Sequence, residues 1–105
     1  MSGQDRLLGA LGMCRRAGKL ICGTPLVCTE LRKGTLVCAV LAASDASDNT
    51  KKKLSDKCKY YGVALYTLPY KAEDLASAVG KGAPISAVAV TDAQLFKAVQ
   101  AHLPQ

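Results

Sequence analysis

The sequence predicts an α/β fold, a three-layer α/β/α sandwich with a mixed, largely parallel sheet of about four strands. Apolar residues at helical spacing alternate along the chain with short apolar runs typical of strands, and this alternation implies crossover connections. Half of the 105 residues are hydrophobic, but there is no Trp and only one Phe, so we expect an aliphatic, alanine-rich core. This length suits a single domain over 1–105.

The amino-terminal segment predicts a helix followed by a short strand. Apolar side chains recur at helical spacing from Leu7 to Cys14, which indicates a helix over 5–17. Gly18 is well placed to end that helix, because glycine readily adopts the left-handed conformation of a helix end. A strand over 20–22 follows.

A second helix begins after a glycine turn. Thr24 is the expected N-cap and Pro25 the first helical residue, while Lys33 and Gly34 mark the end. A helix N-terminus offers free backbone N–H groups and the positive end of the helix dipole, so it suits a phosphate. The segment from Arg15 to Gly34 is also basic, and we expect any nucleic-acid site to lie there.

The rest of the chain continues the alternation. The apolar run over 36–43 predicts a strand covered on both faces, in which Cys38 is a small buried hydrophobe. A third helix, capped by Asn49 or Thr50, extends to about Tyr61. The remaining predictions are a strand over 63–68, a helix over 72–79, a strand over 85–90, and a helix over 93–102 capped by Thr91 or Asp92.

Charge favours an anionic partner. Fourteen Lys and Arg against eight Asp and Glu give a net charge of +6, although a basic protein without such a partner has the same composition. The lysine-rich stretch over 51–59 fits a solvated helix face better than a specific site. Of Tyr60 and Tyr61, we expect one in the core and the other partly exposed.

The residues that catalysis, metal binding or targeting would need are scarce. Five cysteines without a CxxC pair and one histidine, His102, predict no metal site and no cofactor. Asp45 and Asp48 suit turns and caps, and His102 suits the surface, so we do not expect an enzyme. No apolar run approaches the roughly 20 residues of a membrane span, and the first residues do not resemble a signal peptide. We expect a cytoplasmic protein with reduced cysteines.

Three stretches resemble a known family: LGMCRRAGKLICG, ELRKGTLVCAVLAASDASDNTKKKLSDKCKYYGVALYTL and AVGKGAPISAVAVTD. Through them the chain resembles the kink-turn RNA-binding family of archaeal-type ribosomal proteins, the "L-seven-Ae" superfamily, and within it a small bacterial branch. The resemblance implies an α/β/α sandwich. It also implies binding to the kink-turn, a sharply bent RNA duplex, through its phosphates and sheared G·A pairs.

The family signature at the second helix is Gly-Thr-Asn-Glu, followed after two residues by Lys. Gly23 and Thr24 match it, whereas Pro25, Leu26 and Thr29 stand at the Asn, Glu and Lys positions. Asn and Glu hydrogen-bond base edges, and Pro and Leu side chains do not. A cradle of backbone N–H groups survives these replacements, although Pro25 removes one donor.

Two further segments enclose a flipped-out base in relatives, and they correspond to 44–50 and 80–84. Ala46 and Ala83 stand where some relatives have charged pocket residues, and small apolar walls still receive a base by stacking and shape. Lys71 corresponds to a lysine that relatives carry at the end of the strand before the 80–84 segment.

The sequence therefore predicts a noncatalytic, ribosome-associated RNA-binding protein that is a monomer and recognises a kink-turn-like or other structured RNA. The alternative is a protein-interaction scaffold that kept the fold and lost specific RNA recognition. The predicted RNA-binding residues are Arg16, Lys19, Gly23, Thr24, Lys33, Ala46, Thr50, Lys71, Gly80, Lys81, Gly82 and Ala83.

Overall fold

A computed structural model describes residues 3–103. The expectation about a signal peptide also concerns residues 1 and 2, which lie outside this range. Five helices alternate with four strands, as the sequence predicts. In chain order they are α1 (Gly3–Arg16), β1 (Leu20–Cys22), α2 (Thr24–Lys33), β2 (Ala39–Ala42), α3 (Asp48–Tyr61), β3 (Ala64–Thr67), α4 (Ala72–Ala78), β4 (Ala87–Val90) and α5 (Ala93–Gln100).

The four strands form one mixed sheet in the order β1-β4-β2-β3. β2 and β3 pair in parallel, whereas β4 runs antiparallel to both of its neighbours, β1 and β2. The α/β class and the mixed sheet are thus confirmed, but the expectation that most pairings are parallel is wrong. The cause is the connection through α4: the Ile85 N–H donates to the Ala72 carbonyl oxygen at 3.1 Å. The chain therefore returns to the end of the sheet that it left after β3, and β4 starts there.

Helices cover both faces of the sheet, so the structure has three layers. On one face, α1, α4 and α5 pack with side chains that include Leu41, Val88 and Val90. On the other face, α2 and α3 pack against Val40 and alanines of β2 and β4. Strand residues thus alternate between the two cores. Both cores are mainly aliphatic, as the composition predicts.

Helices α2 and α3 each begin one or more residues earlier than predicted. Gly23, not Thr24, is the N-cap of α2, so Thr24 and Pro25 are its first two residues. Ser47 is the N-cap of α3 and its Oγ accepts a hydrogen bond from the Thr50 N–H at 3.2 Å, so Asn49 and Thr50 lie inside the helix.

The strand predicted over 36–43 is shorter than expected. Leu36 is 80 % exposed and precedes the sheet, and Cys38 is half-buried, not buried. The Cys38 N–H donates a 2.8 Å hydrogen bond to the Val90 carbonyl oxygen at the carboxyl end of β4. Cys38 therefore lies at the rim of the sheet.

Neither tyrosine of the Tyr60–Tyr61 pair lies in the core, contrary to expectation. Tyr60 is 82 % exposed and Tyr61 is 36 % exposed. The buried stripe of α3 passes through Leu54 and Cys58, and Tyr60 projects from another side of the last turn. Gly62 then ends the helix in the left-handed conformation.

Candidate nucleic-acid interface

Three segments meet where β2 ends and β4 begins. The Gly23 N–H donates to the Ala87 carbonyl oxygen at 2.9 Å, which joins the start of α2 to the start of β4. The Ala43 N–H donates to the Ser86 carbonyl oxygen at 2.8 Å, which joins the end of β2 to the same segment. An open depression of about 390 Å³ lies there. It is lined by Gly23, Thr24, Pro25, Thr50, Lys53, Pro84, Ile85 and Ser86, which we call the helix-start depression.

Gly23 is required by backbone conformation. Its φ of 101° and ψ of 137° lie in a region that residues with a Cβ atom rarely adopt. A Cβ added there would meet no atom within 4 Å, so the space around Gly23 is open. The turn therefore exposes bare backbone at the mouth of the depression.

The first turn of α2 keeps two N–H groups free of intrahelical acceptors. The Val27 N–H already donates to the Gly23 carbonyl oxygen at 3.0 Å, and Pro25 has no N–H. The N–H groups of Thr24 and Leu26 remain, at the positive end of the helix dipole. Because α3 also begins beside the depression, with Thr50 in its first turn, two helix dipoles favour an anion there.

The Thr24 side chain contributes differently from its backbone. Its Oγ1 is buried and has no hydrogen-bond partner among residues 3–103. The hydroxyl therefore does not face a ligand in the depression, and we assign Thr24 a backbone contribution only.

Several predicted residues meet here, and the sequence interpretation missed others. Gly23, Thr24 and Thr50 all line the depression, and so does Pro84 from the 80–84 segment that the resemblance indicates, but Lys53, Ile85 and Ser86 were not predicted. Lys53 lies three residues after Thr50, so both lie on one side of α3. Counting helical positions from Ser47, the observed N-cap of α3, would have placed Lys53 beside Thr50.

The glycine-containing loop borders a second depression. Gly80, Lys81, Gly82 and Ala83 are all exposed. Lys81 and Arg15 line this depression with Cys22 and Leu26, immediately beside the first turn of α2. Burial raises the pKa of the Cys22 thiol above its usual value, and the positive charges of Arg15 and Lys81 offset part of that rise. Arg15 belongs to the basic segment over 15–34 that was expected to hold the site, and although it was not singled out there, it lines this second depression.

Arg16 is the last residue of α1, and its side chain lies beside Gly12 of the same helix, near α4. A Cβ placed on Gly12 would be 3.7 Å from Arg16 Nη1 and 3.2 Å from the Ala78 carbonyl oxygen. The guanidinium thus lies near the carboxyl end of α4, where a positive charge interacts favourably with the helix dipole.

Lys19 and Lys33 are not brought to the helix-start depression. The Lys19 carbonyl oxygen accepts from the Thr91 N–H at 3.0 Å, at the opposite end of β1 from Gly23. Lys33 ends α2, roughly 15 Å from its start, and its Nζ is 3.7 Å from a Glu30 carboxylate oxygen.

Ala46 and Lys71 have contrasting environments. Ala46 is only 6 % exposed, and its N–H donates to the Ala43 carbonyl oxygen at 3.2 Å. It therefore offers a base little surface. Lys71 is exposed and directly precedes α4. Nearby, Asp45 acts as a cap, as predicted: its Oδ1 accepts from the Ala72 N–H at 2.8 Å.

Two other classes of site are absent within residues 3–103. No group of three or more His, Cys, Asp or Glu side chains is arranged to hold a metal ion. None of the helices in that range is long and apolar enough to cross a membrane.

Comparison with known proteins identifies relatives for nearly the whole chain. A model of the ribosomal protein L7Ae/L30e/S12e/Gadd45 family matches residues 5–100. The RNA-binding protein YlxQ of Bacillus subtilis is 43 % identical over 86 residues, which cover 78 % of this chain and 79 % of that protein. The YlxQ of Enterococcus faecium is 38 % identical over 78 residues, covering 74 % of each chain.

Solved structures share the fold. A protein of unknown function from Bacillus halodurans superposes with a TM-score of 0.81 at 32 % identity, over 92 % of this chain and 95 % of that one. A 15.5 kD RNA-binding protein of Giardia lamblia superposes with a TM-score of 0.74 at 17 % identity, over 95 % of this chain and 83 % of that one. The second likeness concerns the fold alone.

Proposed function

The chain belongs to the ribosomal protein L7Ae/L30e/S12e/Gadd45 family, and from that premise we propose that it is a noncatalytic RNA-binding protein. We further propose that it binds a kink-turn-like or other sharply bent RNA as a one-domain monomer on the ribosome. The relatives from two bacteria that are 43 % and 38 % identical carry the name RNA-binding protein, which supports the general function.

One observation carries the proposal for the site. The starts of α2 and α3, the exposed cation Lys53 and a bare glycine turn converge on the helix-start depression. Free N–H groups and helix dipoles hold phosphate oxygens at short range, and Lys53 adds a point charge. The net charge of +6 attracts RNA from a distance.

The residues of α2 favour recognition of RNA shape over recognition of bases. Backbone N–H groups contact phosphates without regard to sequence, and Pro25 and Leu26 have no side-chain group that hydrogen-bonds a base edge. A bent duplex brings several phosphates to one concave surface, whereas a straight duplex presents fewer at once. We therefore propose that discrimination against a straight duplex persists, but is weaker than an Asn-Glu pair would give.

The proposal is tested by titrating the protein with a kink-turn RNA and a straight duplex of equal length over a range of salt concentrations. The kink-turn is expected to bind more tightly. Lys53→Gln should reduce the slope of log affinity against log salt by roughly 0.7 to 0.9 if Lys53 neutralises one phosphate. Lys97→Gln is the matched control, since Lys97 is exposed on α5 across the sheet.

Three results would contradict parts of the proposal. Equal binding of both RNAs rules out kink-turn recognition. An unchanged slope in Lys53→Gln removes the helix-start depression as the site. No binding to either RNA at low salt contradicts RNA binding itself and favours the protein-interaction scaffold.

A further inference from the structure

We propose that the RNA site continues along α3, where Lys53, Lys57 and Tyr60 bind unpaired nucleotides that flank the structured RNA. This inference rests on the proposed function and adds a second subsite to it. The surface concerned, which we call the α3 face, consists of Lys53, Asp56, Lys57, Tyr60 and Tyr61 and borders an open depression of about 600 Å³.

Tyr60 is the main reason to assign a ligand to this face. It is 82 % exposed, the highest exposure of any large hydrophobic side chain within residues 3–103. Its ring meets Tyr61 in an edge-to-face contact, with centroids 4.8 Å apart and planes at 84°. Such a contact covers at most part of one ring face, so aromatic surface stays open for a third ring.

The α3 face is continuous with the helix-start depression. Lys53 lines both depressions, so a strand leaving the first meets the second without a gap. Lys53, Lys57 and Tyr60 follow one another at spacings of four and three residues, which places them on one side of the helix. The distance along the helix axis from Lys53 to Tyr60 is roughly 10 Å.

The charges on this face favour a nucleic acid over a protein. Two lysines precede the aromatic residue, and the single carboxylate of Asp56 opposes them. Cations that neutralise phosphates next to an aromatic ring that stacks on a base are the combination found in single-strand binding surfaces. A protein-docking face of this size would instead be expected to have an apolar centre.

The occupant must be unpaired RNA. A base inside a duplex has its faces covered by its neighbours, and only an unstacked base offers a face to an aromatic side chain. Stacking of this kind tolerates any base, so we expect a preference for a single-stranded flank without a strong sequence requirement.

The test compares two RNAs, the kink-turn RNA alone and the same kink-turn RNA with a short unpaired extension, which is placed in turn at each strand end. The extension should increase the affinity of the unaltered protein at one end. Tyr60→Ala should cancel that gain, an effect of about fivefold or more, and Tyr60→Phe should retain it because the ring remains. Lys57→Gln should lower the salt slope by roughly 0.7 for the extended RNA only.

Asp56→Asn supplies a variant with the opposite expected sign. Removing the one carboxylate of the α3 face should tighten binding of the extended RNA by a larger factor than binding of the unextended RNA. All of these side chains lie on the surface of α3, so the variants are expected to fold, and circular dichroism checks this.

The outcomes separate this inference from the function on which it rests. If the structured RNA binds but no extension adds affinity, or if Tyr60→Ala weakens both RNAs equally, the α3 subsite is excluded and the main site stands. If no RNA binds, both proposals are excluded. If Tyr60→Ala leaves the gain from the extension intact, the α3 subsite is likewise excluded, since Tyr60 then makes no stacking contact.

Discussion

Gly23 donates its backbone N–H to the carbonyl oxygen of Ala87, and this 2.9 Å hydrogen bond fixes the start of α2 to the first residue of β4. The sheet thereby determines the direction in which the α2 dipole points. Since Ser86 bonds to Ala43 on the other side, the position of the depression relative to both strands is set by backbone contacts. Side-chain changes in the first turn of α2 are therefore expected to alter contacts more than architecture.

Gly23→Ala should destabilise the protein and weaken RNA binding. The φ of 101° is strained for alanine, although the added Cβ finds open space, and we expect a loss of about 1 to 3 kcal/mol in the free energy of unfolding. Gly9→Ala is the control, because Gly9 lies inside α1 with no neighbour within 4 Å of an added Cβ. That change should stabilise slightly. Urea unfolding distinguishes the two variants, and equal stabilities would contradict the strain at Gly23.

Thr24→Val should leave the protein as stable as before or make it more stable. The buried Oγ1 of Thr24 has no hydrogen-bond partner in the described part of the chain, and an unsatisfied buried hydroxyl costs about 1 to 3 kcal/mol. Valine keeps the branched shape without the polar atom. The free energy of unfolding is the measurement, and Thr24→Ser, which keeps the hydroxyl, is the comparison. A clear loss in Thr24→Val would mean that the hydroxyl is hydrogen-bonded in solution.

RNA should protect Cys22 from alkylation and leave Cys38 reactive. Both are half-buried, but Cys22 precedes the glycine turn of the site and Cys38 lies at the opposite end of the sheet, bonded to Val90. Burial raises the pKa of the Cys22 thiol, so its thiolate fraction is small near neutral pH and grows as the pH rises. Labelling at mildly alkaline pH with and without RNA, followed by mass spectrometry, gives the rates. Equal protection of both cysteines would not fit the proposed site.

The sequence predicts local features of this fold well because they depend on local conformation. Gly18 and Gly34 both adopt positive φ at the helix ends where they were expected. The direction of β4 depends instead on the contact between Ile85 and Ala72, thirteen positions apart, and no local pattern reports it.

The residues of the candidate site also divide into those that local sequence predicts and those that long-range packing determines. The glycine turn and Thr50 were found from motif and resemblance, and both line the helix-start depression. The burial of Ala46 and the exposure of Tyr60 depend on how the chain packs in three dimensions, which no local pattern reports. Lys33, which was predicted from its charge, lies at the other end of α2 from the depression, and its contact with RNA stays a prediction.

Pro25→Asn combined with Leu26→Glu should increase the preference for a kink-turn over a straight duplex. Pro25 is exposed and Leu26 is 57 % exposed in the first turn of α2, so the new side chains can reach RNA without repacking the core. They restore the residues that the family signature carries and the hydrogen bonds to base edges that this chain lacks. The added carboxylate also repels phosphate, so affinity for the straight duplex should fall. A rise of about tenfold in the affinity ratio corresponds to about 1.4 kcal/mol. Leu26→Gln with Pro25→Asn is the control without the charge. A double variant that weakens both RNAs by the same factor would indicate repulsion alone, and would place the bases of the bound RNA out of reach of α2.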